Sequence, residues 1–122
     1  MDSGLDILEY EGEGYERALA YGAWRVAIIN SMPKLLPENL YKRERHLGTD
    51  EAFVLLRGSA SLHIGEQMEC FQMETGKIYN VRCGVWHAIT MAENSKVLVI
   101  ENDDTGPENT EIFFLSEGES NV

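Results

Sequence analysis

Short stretches of alternating apolar and polar residues follow one another through the middle of the chain. Ala60, Leu62 and Ile64 alternate with polar residues up to a turn at Gly65, and this period of two places the three apolar side chains on one face of a strand. Similar strand signals, separated by turn-forming residues, occur at 24–29, 52–56, 68–71, 78–81, 86–91, 96–100 and 111–115. Short strands at this spacing predict an all-β sandwich or barrel.

The two ends of the chain have a less regular pattern. Residues 15–21 contain helix formers, but Gly12, Gly14 and Gly22 stand so close to them that an irregular arm, a single turn or one short helix are all compatible with the sequence. Residues 32–37 contain two prolines and are predicted to form a loop. We expect the 122 residues to form one domain, with an N-terminal arm over 1–22, a barrel over 23–116 and an acidic tail over 117–122.

The charge of the chain excludes one class of partner. Acidic residues outnumber basic ones 21 to 10, and the formal net charge is -11. A protein that neutralises phosphates needs clustered Lys and Arg, so nucleic acid is not an expected partner. No apolar run approaches the roughly 18 residues of a membrane span, and the N-terminus lacks the basic, then apolar, pattern of a signal peptide. We therefore expect a cytoplasmic protein with no membrane partner.

The two cysteines do not form a recognisable metal or redox motif. Cys70 and Cys83 lie in apolar-looking strands without CxxC spacing. They are therefore predicted to be reduced thiols in the core rather than a disulfide or a zinc clip.

Two segments combine histidines and carboxylates at spacings that suit a single site. Glu44 and His46 are two residues apart and project from the same face of a strand. Glu51 and His87 each alternate with apolar residues that would line a core, whereas Asp50 has the opposite parity and is expected to lie outside. Two imidazoles and two carboxylates in one barrel interior would suit a divalent ion such as Mn, Fe, Ni or Zn.

The first segment resembles the first sequence motif of the cupin superfamily, which reads glycine, five residues, His-x-His, three or four residues, Glu, six residues and glycine. Glu51 and Gly58 have the required six residues between them, and His46 stands at the second histidine position. Glu44 occupies the first histidine position, and Glu38 occupies the opening glycine position.

The second segment is similar to the second cupin motif, which reads glycine, five residues, Pro-x-Gly, two residues, His, three residues and Asn. Gly76, Gly84 and His87 match this spacing, while Arg82 replaces the proline and Met91 the asparagine. The resemblance runs directly over 44–91. It implies a cupin-like double-stranded β-helix, or jelly-roll barrel, of the kind found in small single-domain bacterial cupins, which commonly form homodimers.

The resemblance also implies a metal site formed by His46, Glu51, His87 and Glu44. Glu51 and Glu44 are the candidate catalytic residues, because either carboxylate could move a proton on a substrate. Without a metal, the two carboxylates would repel and at least one would tend to hold a proton. Structural roles remain open: His46 could cap the turn at Gly48, His87 could be a hydrogen-bonded core histidine, and Glu44 could lie on a solvated strand.

Three classes of function are compatible with these features. The favoured one is a metal-dependent enzyme that acts on a small polar metabolite by isomerase, lyase or oxygenase chemistry. The second is a non-catalytic cupin that binds a sugar or an organic acid, since a changed ligand set costs catalysis before it costs the fold. The third is a structural module that pairs as a dimer through a hydrophobic sheet face.

Overall fold

The computed structural model describes residues 3–115, and over this range the chain forms ten β-strands and three short 3-10 helices. The strands are β1 (Gly14–Tyr21), β2 (Trp24–Asn30), β3 (Lys42–His46), β4 (Glu51–Arg57), β5 (Ala60–Ile64), β6 (Glu69–Gln72), β7 (Ile78–Val81), β8 (His87–Met91), β9 (Lys96–Asn102) and β10 (Thr110–Phe114). The 3-10 helices are Pro33–Leu35, Pro37–Asn39 and Pro107–Asn109. The all-β class predicted from alternation is confirmed. The tail predicted over 117–122 lies outside the described residues.

The strands form two antiparallel sheets of five strands each. The first has the order β1-β2-β9-β4-β7, and the second has the order β10-β3-β8-β5-β6. Val97 and Val99 of the first sheet are 0% exposed, and they share one apolar cluster with Leu62 and Met91 of the second. The alternation of each strand therefore buries one face of both sheets against a common core, as in a jelly roll. Over residues 3–115, no helix has the length and apolarity that a membrane crossing requires.

The N-terminal arm differs from the prediction that the sequence pattern gave. Residues 14–21 are neither irregular nor helical but form β1, which pairs with β2 along its length and has a bulge between Arg17 and Leu19. Gly14 and Gly22 have φ values of 76° and 61°, so they turn the chain into and out of the strand rather than interrupting it. The ladder with β2 outweighs the helix propensity of the segment. Within the described part of the chain, the irregular segment before β1 covers residues 3–13.

The cysteines are free, as predicted, but neither lies in the core. Cys70 is on β6, an edge strand whose four residues are all exposed, and Cys83 is exposed in the turn before β8. An edge strand has a neighbour on one side only, so its apolar residues are less well covered than those of a central strand.

Candidate metal centre

The candidate residues lie near strand ends that the two sheets bring together. Glu44 and His46 are on β3, and His87 begins β8, whose pairing with β3 places Glu44 and His87 directly opposite each other. Glu51 begins β4 in the other sheet. The ring centroids of His46 and His87 are 5.2 Å apart. Both sheets therefore contribute to one cluster.

Glu51 is the centre of this cluster. Its Oε1 atom lies 3.0 Å from His46 Nε2 and 2.9 Å from His87 Nε2. The exposed fraction of each of the three residues is between 4% and 7%, so little water screens their interaction. The structure brings these residues together, and their role as metal ligands remains a prediction.

The outer ring nitrogens determine what each imidazole presents to Glu51. His87 Nδ1 lies 3.0 Å from the carbonyl oxygen of Val85, which can only accept, so Nδ1 carries a proton and donates it. His46 Nδ1 lies 2.9 Å from the hydroxyl of Thr110, which can donate or accept. A neutral His87 therefore presents a lone pair on Nε2 to a carboxylate oxygen. Two acceptors 2.9 Å apart require a proton or a cation between them.

The electrostatics of the cluster keep Glu51 ionised. Burial opposes the charge on His46, but the hydrogen bond to Glu51 and the charges of Glu51, Glu44 and Glu101 raise the pKa of His46 above its ordinary value. Burial also opposes ionisation of Glu51, yet the hydrogen bonds with His46 and His87 lower the pKa of this carboxyl. Glu51 is consequently a carboxylate at neutral pH and available to a cation.

Glu44 lies at the more exposed side of the cluster. Its Oε1 is 3.7 Å from His46 Nε2, and its Oε2 accepts a hydrogen bond from Lys42 Nζ at 3.2 Å. The side chain of Glu44 is 28% exposed. Ligand atoms of Glu44, His46 and His87 all lie within 4.8 Å of one another, so one ion could contact all three.

A further carboxylate belongs to the cluster and was missed by the sequence analysis. Glu101 on β9 is 5% exposed, and its Oε1 lies 3.9 Å from His46 Nε2. Burial, followed by the negative charge of Glu51, raises the pKa of Glu101. Glu101 alternates with Val97 and Val99, and this parity could have indicated that it points into the core. It was not noticed because Glu101 also begins the acidic C-terminal segment.

The cluster borders a cavity of about 480 Å³. Apolar side chains form much of the cavity wall, and they come from both sheets and from the segment between β2 and β3: Ile29, Met32, Leu35, Leu40, Ile89 and Ile112. Besides the cluster, the charged residues Arg25, Lys34 and Lys42 line the cavity. Its volume suits a single small molecule.

The donor atoms fit a divalent metal ion in chemistry and spacing. Ligands bound to one ion at about 2.0–2.2 Å lie roughly 3 to 3.5 Å apart, and the nearest donor pairs here are 2.9 and 3.0 Å apart. Metal-binding histidines usually donate their other ring N–H to a carbonyl or a carboxylate, as His87 does to Val85. The donor spacing and the hydrogen bond of His87 are therefore both compatible with a bound divalent ion.

Comparison with known proteins places the fold. No family model and no curated protein sequence matches the chain. A cupin-2 domain protein from Shewanella frigidimarina is 17% identical, with a TM-score of 0.60 over 76% of this chain and 84% of that one. Pac13 from Streptomyces, described as a unique nucleoside dehydratase, is 8% identical, with a TM-score of 0.65 over 92% of this chain and 90% of Pac13.

A third similar structure is the iron(II) form of HppE in complex with its substrate. It is 19% identical, with a TM-score of 0.61 over 84% of this chain and 59% of HppE. Identities this low establish the fold alone. The chain has the cupin fold, as the motif spacing predicted.

Proposed function

We propose that the protein is a metal-dependent enzyme acting on a small molecule, with a divalent ion held by His46, His87, Glu51 and Glu44. The supporting observation is that two Nε2 atoms converge on one oxygen of a buried carboxylate. A cation satisfies all three atoms at once. Mn, Fe, Ni and Zn all suit such a set, and a bound ion would supply a Lewis acid for a substrate oxygen.

The two candidate catalytic carboxylates differ in their surroundings. Glu51 faces two histidines that hold it in place and keep it ionised, which suits a ligand. Glu44 is partly exposed and lines the cavity. Glu44 is therefore the better-placed group to move a proton on the substrate, which it would do when it is not bound to the ion. Isomerase and lyase reactions use such a transfer, so these two classes suit the site best.

The shape of the cavity indicates the kind of substrate. The His and Glu cluster supplies polar groups at one part of the cavity, Arg25, Lys34 and Lys42 add positive charge, and much of the remaining wall is apolar. We infer a substrate with a polar reacting end and an apolar body, because a sugar would leave several hydroxyl groups against apolar side chains. Bound uridine in Pac13 and bound substrate in HppE support a small-molecule ligand for this fold.

Metal content is the direct test of this proposal. Protein purified without chelator and then titrated with Mn, Fe, Ni or Zn should bind about one ion per chain with at least one of them. His46→Gln and His87→Gln should each lower the affinity by on the order of 100-fold or more, since each removes a ligand.

A third histidine provides a matched control for these variants. His63 Nε2 is hydrogen-bonded to Thr90 Oγ1 at 2.8 Å, and His63 does not line the cavity. His63→Gln should therefore bind metal like the unaltered protein. Less than about a tenth of an ion per chain, with none of the four metals bound on titration, would contradict the proposal.

A metal-free reaction is the second candidate, supported by the same hydrogen bonds. If protons rather than a metal ion lie between Glu51 and the two imidazoles, the cluster is a buried acid-base system. Activity that survives complete removal of metal by a chelator would favour this candidate. Activity that chelation abolishes and one metal restores would exclude it.

A further inference from the structure

The free oxygen of Glu101 points to an additional ligand outside both cupin motifs. We propose that Glu101 is a further ligand of the ion at this centre, and that Tyr15 and Arg25 hold its carboxylate in the ligating position. The inference rests on the proposed metal-dependent function and extends it by one ligand and two positioning residues.

The first observation is an unsatisfied buried atom. Glu101 Oε1 has no hydrogen-bond partner and is one of four such buried side-chain atoms among residues 3–115. It lies 3.9 Å from His46 Nε2, and ligand atoms of His46, Glu51 and Glu101 fall within 4.8 Å of one another. An ionised oxygen that is out of water and unpaired is unfavourable unless a cation or a donor reaches it.

The second observation is that the other oxygen is firmly held. Glu101 Oε2 accepts a hydrogen bond from the Tyr15 hydroxyl at 2.5 Å and another from Arg25 Nη2 at 3.1 Å. Arg25 stands directly opposite Glu101 in the pairing of β2 with β9, and its guanidinium lies 5.6 Å from the centre of the Tyr15 ring. Arg25 also donates to the backbone oxygens of Asp103 and Thr105.

These contacts fix the direction of the free oxygen. With Oε2 bound to two donors, rotation of the carboxylate would break two hydrogen bonds, so Oε1 stays directed towards the cluster. Tyr15 on β1 and Arg25 on β2 thus hold the candidate ligand oxygen of Glu101 on β9 in place. The ion pair with Arg25 uses Oε2 alone. It therefore does not explain why the buried Oε1 faces the cluster.

A fifth donor would change the character of the centre. Glu44, Glu51 and Glu101 would provide three carboxylates beside two imidazoles, a set richer in oxygen than the two motifs alone supply. Oxygen-rich sets suit harder ions, so Mn²⁺ or Fe²⁺ fits this centre better than a site built mainly from imidazole would.

Metal titration of Glu101→Gln tests the inference. Mn²⁺ binding, followed by calorimetry, should weaken by on the order of 100-fold, and the visible spectrum of the Co²⁺-loaded protein should change because a ligand is lost. Glu69→Gln is the matched control, since Glu69 is an exposed carboxylate on β6 of the other sheet. It should leave both the affinity and the spectrum unchanged.

Tyr15→Phe tests the positioning role and guards against a folding defect in the first variant. It removes only the hydroxyl that holds Oε2, and we expect Mn²⁺ affinity to fall by roughly 10-fold with a shifted Co²⁺ spectrum. A lower melting temperature with unchanged affinity and spectrum would overturn the positioning role. Glu101→Gln that binds Mn²⁺ like the unaltered protein would overturn the ligand role, and with it the positioning role, but not the proposed function. Absence of metal binding by the unaltered protein would overturn the proposed function as well.

Discussion

Glu51 connects the cluster, because the imidazoles of His46 and His87 both contact one of its oxygens. Glu51→Gln keeps the size of the side chain but removes its charge. In metal-free protein we expect it to lower the free energy of unfolding by about 1–3 kcal/mol, since His46 and His87 lose a buried charged partner. Urea denaturation measures this. Glu74→Gln, at an exposed residue paired with Lys77, should stay within about 0.5 kcal/mol, and equal losses in both variants would contradict the account.

The same residues predict how the stability of the metal-free protein depends on pH. The pKa of His46 is raised above 6.5, so its contribution is present below pH 6.5 and is lost as the pH rises through the raised value. The pKa of Glu51 is lowered from 4.5, so its contribution is present above pH 4.5 and is lost as the pH falls through the lowered value.

The melting temperature of metal-free protein should therefore be highest between pH 4.5 and 6.5 and should decline above that range. A series of thermal melts from pH 4 to 9 gives the profile. In His46→Gln the decline above pH 6.5 should flatten. A melting temperature that increases steadily from pH 6.5 upward in the unaltered protein would contradict the sign of the His46 shift.

The sequence was sufficient to predict that His46, Glu51 and His87 lie close together, but not that Glu101 and Tyr15 lie beside them. His46, Glu51 and His87 were identified because their motif spacing and strand parity are local properties of the chain. Glu101 and Tyr15 were not identified, because they meet only through the pairing of β1 with β2 and of β2 with β9. Contacts across 86 residues leave no spacing signal in a single sequence.

At the scale of elements, the motif glycine Gly58 shapes the turn between β4 and β5. Its φ is +83°, and an added Cβ would lie 2.8 Å from the backbone Cα of Ser95. Gly65 has the same φ, but no atom lies within 4 Å of the corresponding position. Gly65→Ala should therefore lower the free energy of unfolding only through the strain of a left-handed alanine, by roughly 1–2 kcal/mol. Gly58→Ala should lower it by at least about 1 kcal/mol more, because of the contact with Ser95. Equal urea midpoints in the two variants would show that the contact with Ser95 is unimportant.

The strands that the pattern predicted correctly share a simple property. Those with alternating buried residues, such as β5 and, from Val97 onward, β9, were predicted close to their observed bounds. β1 was missed because five of its eight residues are exposed, and these exposed positions carry both charged and apolar side chains. Edge strands bury too little for alternation to show, and β6 misled the prediction for Cys70 in the same way.

At the scale of the whole molecule, we propose that the homodimer expected from the sequence forms through the outer face of the first sheet. Seven of the positions that alternate with the core residues there are apolar, and they lie on four neighbouring strands: Trp24, Val26, Ile28, Val54, Ile78, Leu98 and Ile100. Ile78 is 74% exposed. Two copies with a net charge of -11 each could meet on these seven uncharged residues without opposing carboxylates at the centre of the contact.

Light scattering coupled to size exclusion tests this arrangement. The unaltered protein should have twice the chain mass of 13.8 kDa, and Ile78→Glu should shift it towards the monomer because a charge would be buried between the copies. Ile7→Glu is the control, since Ile7 is 87% exposed and precedes the first strand. A monomeric unaltered protein would contradict the proposal, as would equal behaviour of the two variants.

A metal centre built by both sheets would hold its ion between His46, His87 and Glu51. Anomalous scattering from a crystal soaked with Mn²⁺ or Zn²⁺ is the measurement that decides whether an ion binds there. We expect a single strong peak at about 2.0–2.3 Å from the Nε2 atoms of His46 and His87 and next to Glu51. A map with no peak at these atoms, with both rings still facing Glu51, would rule out this metal centre.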